Sequence, residues 1–86
     1  MPSNAMRLDK YLKVSRLIKR RTVANEACDA GRIQVGGRVV KASYEVKPGD
    51  VISIAMGTRT VRVQVLQVAE TVRKDDASEM YRELPD

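Results

Sequence analysis

The sequence has no tryptophan, no phenylalanine and no histidine, and three tyrosines are its only aromatics. Without histidine, the commonest general base and the commonest metal ligand are both missing. A single cysteine excludes an internal disulfide, the usual support of small secreted domains with thin cores. No apolar run approaches the roughly 18 residues of a membrane span, and no signal-peptide pattern opens the chain, so a cytoplasmic location without membrane association is expected. The tyrosines are too few and too scattered to form a base-stacking platform, so any recognition of nucleic acid is expected to address backbone and shape. With 86 residues there is room for one domain. A chain of this size buries only roughly 60–65% of its unfolded surface.

What the chain has is positive charge, unevenly placed. The net charge of +5 hides a contrast: residues 1–41 hold ten Lys and Arg against three Asp and Glu, whereas residues 42–86 hold six against eight. Residues 7–21 carry seven cations against Asp9 alone, and residues 10–25 contain no acid. With no histidine to titrate, this charge persists from about pH 5.5 to 9. A merely soluble face usually mixes signs. The focused field points to a polyanion, with nucleic acid first and an anionic membrane surface second, against the plain reading of a solvated helix face.

Residues 1–5 read as a remnant added in cloning, 6–70 as the domain and 71–86 as a polar tail. Leu8, Tyr11 and Leu12 recur at the spacing of one helical face. A second helix is expected from Thr22, as N-cap, to Ala30, with Val23, Ala24, Ala27 and Cys28 as a narrow stripe and Gly31 as its stop. The link from 16 to 21 reads equally as a tight connection or an extra turn. Beyond it the period falls to two. Ile33-Gln34-Val35 and Val39-Val40 flank Gly36-Gly37, a hairpin signal, and Lys47-Pro48-Gly49-Asp50 marks a further turn. Val51, Ile52 and Ile54 form a strand. Residues 60–68 alternate and then lose phase at Leu66, as a bulge would make them. Residues 74–81 suit a short helix. The expected fold is α+β, two N-terminal helices packed on a small, mostly antiparallel sheet.

The candidate site is the basic face made by Arg7, Lys10, Lys13, Arg16, Lys19, Arg20 and Arg21. Phosphate recognition needs cationic donors held in register, and arginine adds a planar fork. Arg20 and Arg21 precede the expected start of the second helix, where free N–H groups favour an anion and Thr22 adds a hydroxyl. Asp9 reads as a dipole complement or as the orienting partner of an arginine, ahead of direct RNA contact. Cys28 reads as core filler. Asp75, Asp76 and Glu79 read as solvated charges rather than a metal site. No catalytic constellation and no cofactor site is expected.

These blocks resemble the S4 RNA-binding domain family. Arg7-Leu8-Asp9-Lys10-Tyr11-Leu12 is similar to its opening helix, and Arg20-Arg21-Thr22-Val23-Ala24 to its second helix start. Gly31-Arg32-Ile33-Gln34-Val35-Gly36-Gly37 is similar to its hairpin, and Val46-Lys47-Pro48-Gly49-Asp50-Val51-Ile52 to its closing turn and strand. The resemblance covers roughly residues 6–54. It departs from the family's pattern at Arg20, commonly serine, and at Gly36, commonly asparagine. The run from Arg7 to Thr22 is similar to the RqcP-like group, while the basic extension of the heat-shock relatives is replaced by an acidic tail.

The resemblance implies a non-catalytic, monomeric factor of ribosome-associated quality control. It implies binding to ribosomal RNA and peptidyl-tRNA on an obstructed large ribosomal subunit, beside an RqcH-like tailing factor that adds alanines. By position it carries over Arg7, Asp9, Arg16 and Arg21 as the RNA-contacting set. Three alternatives stand beside it: an S4 protein of ribosome assembly or the heat-shock response, a fragment of an RNA-modifying enzyme, and a protein-interaction module working through the strand at 60–68.

Overall fold

The computed structural model describes residues 5–70 and 72–85, so residues 1–4 of the expected cloning remnant lie outside the described residues. Chain order is β1 (Met6–Arg7), α1 (Leu8–Val14), α2 (Arg21–Asp29), β2 (Ile33–Val35), β3 (Arg38–Val39), β4 (Glu45–Val46), β5 (Val51–Met56), β6 (Arg59–Val65), a 3₁₀ helix (Lys74–Met80) and β7 (Tyr81–Leu84). A five-stranded sheet runs in the order β3-β2-β5-β6-β7, and a two-stranded ribbon pairs β1 with β4, all antiparallel. This is the α+β arrangement expected from the sequence.

The helical pair forms as its patterning requires. Leu8, Tyr11 and Leu12 are fully buried on one face of α1, and α2 sets the small residues Ala24 and Cys28 into the core. Helix α1 has no side-chain cap. Its first N–H groups, those of Leu8 and Asp9, donate instead to the carbonyls of Tyr44 and Ala42 at 2.8 and 3.1 Å. The segment before β4 therefore does the work of an N-cap. Helix α2 ends in a Schellman motif: Gly31 takes φ +75°, its N–H reaches the Cys28 carbonyl, and the Arg32 N–H reaches that of Ala27, both at 3.0 Å.

The start of α2 differs from the expected one. Arg20, extended at φ −124°, is the N-cap residue, and its carbonyl accepts the Ala24 N–H at 3.1 Å. Thr22 lies inside the first turn and caps nothing through its side chain. The link at 16–20 is a connection without helix.

The sheet's inward rows follow the registers. Val35 faces Ile52, which faces Val63; Ile33 faces Ile54, which faces Val61. Ile33, Ile52, Val63 and Val65 are buried to 1% exposure or less beneath the helices. The Gly36-Gly37 turn has φ of +60° and +81°, the two positive values a tight hairpin needs. Phase is lost at Leu66 because the N–H groups of Leu66 and Gln67 both donate to the Met80 carbonyl, at 2.8 and 3.2 Å. Two residues thus oppose one, as in a bulge, and Leu66 turns outward.

The C-terminal segment departs from its reading as a polar tail. After the 3₁₀ helix, β7 joins the sheet on β6, with Tyr81 opposite Val65 and Leu84 opposite Arg62. Ala77 and Met80 are buried, and the Tyr11 hydroxyl donates to the Met80 carbonyl at 2.7 Å. An acidic composition with sparse apolar anchors concealed this docking. The two-residue β1 and β4 were too short to give a periodic signal.

Candidate nucleic-acid interface

Asp9 organises the site. Its side chain, only 3% exposed, sits between the two helices. It accepts from the Arg7 Nε at 3.2 Å and Nη2 at 3.3 Å, from the Asn25 Nδ2 at 3.2 Å and from the Lys10 backbone N–H at 2.8 Å. Arg21 Nε lies 3.4 Å from the same carboxylate. Burial by itself would raise the Asp9 pKa, but the bonds from Arg7, Asn25 and Arg21 outweigh it and hold the carboxyl below its ordinary value. In return, Asp9 raises the pKa of the Arg7 guanidinium.

Both arginines remain about half exposed, 49% for Arg7 and 48% for Arg21. One buried anion thus fixes two solvent-facing forks contributed by the ends of β1 and α2. Of the readings open for Asp9, orientation of arginine is the one its contacts support. The hollow beside it, about 460 Å³, is lined by Asp9, Arg21, Thr22, Asn25 and Glu26.

A second cleft, about 560 Å³, opens along the other side of α1 and is lined by Lys13, Val14, Arg16, Lys19, Glu70 and Val72. Arg16 reaches it from an unusual backbone. Its φ of +65° makes it the single non-glycine residue in the left-handed region among the described residues. It occupies the position after the α1 C-cap, with its N–H on the Lys13 carbonyl at 3.0 Å. Glycine normally serves there, since a side chain costs about 1–2 kcal/mol. An arginine retained at that cost suits a role for the side chain.

The structure brings Arg7, Arg21 and Thr22 together around Asp9, and Lys13, Arg16 and Lys19 around the second cleft. Arg20 is exposed at the α2 N-cap between them in sequence. Lys13, Arg16, Lys19 and Arg20 have no acidic partner among the described residues. Lys10 differs: it pairs with Glu70, which crosses from the segment after β6.

Sequence reasoning missed Asn25 and Glu70. Asn25 lies four residues after Arg21, on the same face of α2, and that spacing was a usable signal. Glu70 gave none, being brought in only by the tertiary path. Among the described residues no group of three His, Cys, Asp or Glu could hold a metal, and no helix is long and apolar enough to cross a membrane. Cys28 is buried, and burial pushes its thiol up to about 11, consistent with core filler.

Residues 6–52, the span that holds both helices and the arginine clamp, match the S4 domain. The chain belongs to the S4 domain family. Within it, the chain is 58% identical over 76 residues to the RQC P-site tRNA stabilizing factor of Halalkalibacterium halodurans, covering 88% of this chain and 86% of that one. It is 54% identical over 76 residues to the factor of the same name from Bacillus subtilis, with 88% of each covered. The structure of Vibrio cholerae heat shock protein 15 superposes with a TM-score of 0.86 at 27% identity, over 93% of this chain and 82% of that one.

Proposed function

We propose that this chain is an RNA-binding factor of ribosome-associated quality control. It binds ribosomal RNA and peptidyl-tRNA on the obstructed large ribosomal subunit, in the cytoplasm, and supports an RqcH-like factor that adds alanines to the stalled chain. The observation that carries the reading is the Asp9 clamp, which holds Arg7 and Arg21 in fixed register beside the unpaired Lys13, Arg16, Lys19 and Arg20. Fixed cations of this kind suit the phosphates of a folded RNA. The S4 family membership and the relatives named for P-site tRNA stabilisation support the ribosomal setting. In this reading the protein is a monomeric binder and not a catalyst, and the RNA-contacting set is Arg7, Lys10, Lys13, Arg16, Lys19, Arg20, Arg21 and Thr22, with Asp9 as the anchor of Arg7 and Arg21.

The test is co-sedimentation with purified large subunits, empty or carrying a stalled nascent chain on tRNA, with Arg21→Ala alongside and its fold checked by circular dichroism. Preference for obstructed subunits, lost in Arg21→Ala, is expected. Four to six phosphate contacts should give a log–log salt slope of about −3 to −5. Equal binding to empty subunits would favour general S4 binding in ribosome assembly, and salt-independent binding would remove the phosphate reading altogether.

A further inference from the structure

On the other side of α2 lies an apolar groove that shares only Lys19 with the surfaces assigned to RNA. Its volume is about 440 Å³, and its walls are Leu17 and Ile18 from the interhelical connection, Val23 and Ala27 from α2, and Ile54 and Met56 from β5. Val23 and Met56 are 48% and 49% exposed, large apolar side chains that a small soluble domain gains nothing by presenting to water. Two charges line the groove, Lys19 and Arg32, both positive and both without an acidic partner among the described residues. Among the described residues no acid lines the groove; Glu26 lines an adjoining hollow with Val23, Ala27 and Arg32.

Helical geometry separates this groove from the arginine clamp. At 3.6 residues per turn, Val23 and Ala27 point about half a turn away from Arg21 and Asn25. The two faces of α2 can therefore be occupied at once. A base inserted here would meet no aromatic ring to stack on and no polar side chain but the two cations. Aliphatic walls with a cationic rim instead complement apolar side chains flanked by carboxylates.

We propose that the groove docks an acidic, apolar segment of a partner protein, so that the domain joins RNA on one side of α2 to protein on the other. Apolar anchors enter between Val23 and Met56, and Asp or Glu beside them pair with Arg32, which the RNA reading does not use. This docking is independent of which RNA the clamp holds.

The experiment selects a phage-displayed library of random short peptides against the full chain, with Met56→Glu and Val23→Glu as counter-targets. Both variants suit their places. Position 56 faces Arg59 across the hairpin, where an opposite charge is favourable, and position 23 lies in the first turn of α2, where an acid complements the dipole. Peptides combining apolar residues with Asp or Glu are expected to be enriched. They should shift the amide resonances of Val23, Ala27 and Met56 and lose about tenfold or more in affinity for either variant. Met56→Glu should still sediment with large subunits as the unaltered chain does.

An empty selection, or enrichment of basic or uncharged peptides, would overturn the proposal. So would resonance shifts confined to Arg7 and Arg21, or shifts at Val23 and Met56 produced by a single-stranded oligoribonucleotide and by no peptide. Failure of the ribosome sedimentation with intact peptide binding would sink only the functional reading above.

Discussion

The helical and sheet halves of this molecule differ in one buried charge, the Asp9 carboxylate, which the helical half has and the sheet half lacks among the described residues. In the helical half, one buried carboxylate serves two arginines, and four further cations have no acidic partner among the described residues. In the sheet half, bonds join neutral and charged groups locally: Arg82 donates to Gln64 at 2.7 Å, and the Asp50 carboxylate takes the Tyr44 hydroxyl at 3.0 Å with Lys47 near it at 4.0 Å, while Arg38, Arg59 and Arg62 on the strands have no acidic partner among the described residues. The sheet's inner face and the inward faces of the helices share the apolar core, while the outward side of the helical half holds the cations. Stability and binding are therefore separable by region, which mutation can test.

The strongest disruption is expected in the sheet. Ile52→Ala empties a fully buried site between Val35 and Val63 and should cost about 2–5 kcal/mol, read from urea denaturation. RNA affinity of the remaining folded fraction should hardly change. A specific loss of RNA binding at unchanged stability would break the division between the halves.

Asp9→Asn attacks the helical half at its anchor. Loss of a charged, buried acceptor should cost about 1–3 kcal/mol. RNA affinity should fall as well, although the substitution raises the net charge by one unit. Tighter binding would mean that the overall field, not the fixed geometry of Arg7 and Arg21, governs association. The same group sets a pH dependence. Because its folded pKa is lowered, its contribution is present above the unfolded value of about 3.9 and is lost as pH falls through the folded value. Asp9→Asn should flatten that acid limb of the stability profile.

Tyr11→Phe probes the bond that ties α1 to the C-terminal segment. The Met80 carbonyl keeps the Leu66 and Gln67 N–H groups, so the cost should be small, about 0.5–1.5 kcal/mol. Faster hydrogen exchange in β7 with α2 unchanged would sharpen the picture of a sheet edge clamped from the helical side.

Arg16→Gly carries the smallest stability effect and the reverse sign. Relief of the left-handed backbone, reduced by the larger entropy glycine loses on folding, should add about 0.5–1 kcal/mol net, while the salt slope of RNA binding should shrink by about 1. A variant more stable but weaker in binding would show that the strain serves the interface. Unchanged binding would remove Arg16 from it.

Much of this was legible in the residues. The i, i+3, i+4 pattern of Leu8, Tyr11 and Leu12, the Gly31 stop, the Gly36-Gly37 turn and the acid-free run from 10 to 25 each encode a local preference, and the structure realises them. Local chemistry could not reveal partnerships set by long loops. Glu70 on Lys10, the carbonyls that cap α1 and the sheet pairing of Tyr81–Leu84 join residues far apart in the chain. The helix start illustrates the same limit at short range, since the backbone of Arg20 outweighed the capping preference of Thr22. By itself the sequence determined the two helices, the Gly36-Gly37 hairpin, the two longer strands after it and the sign of one face, because periodicity, turn chemistry and charge are local properties. Only the tertiary structure decided which cations are anchored, which is neutralised and which stand free, because a buried carboxylate acts on whatever the packing brings within reach of it.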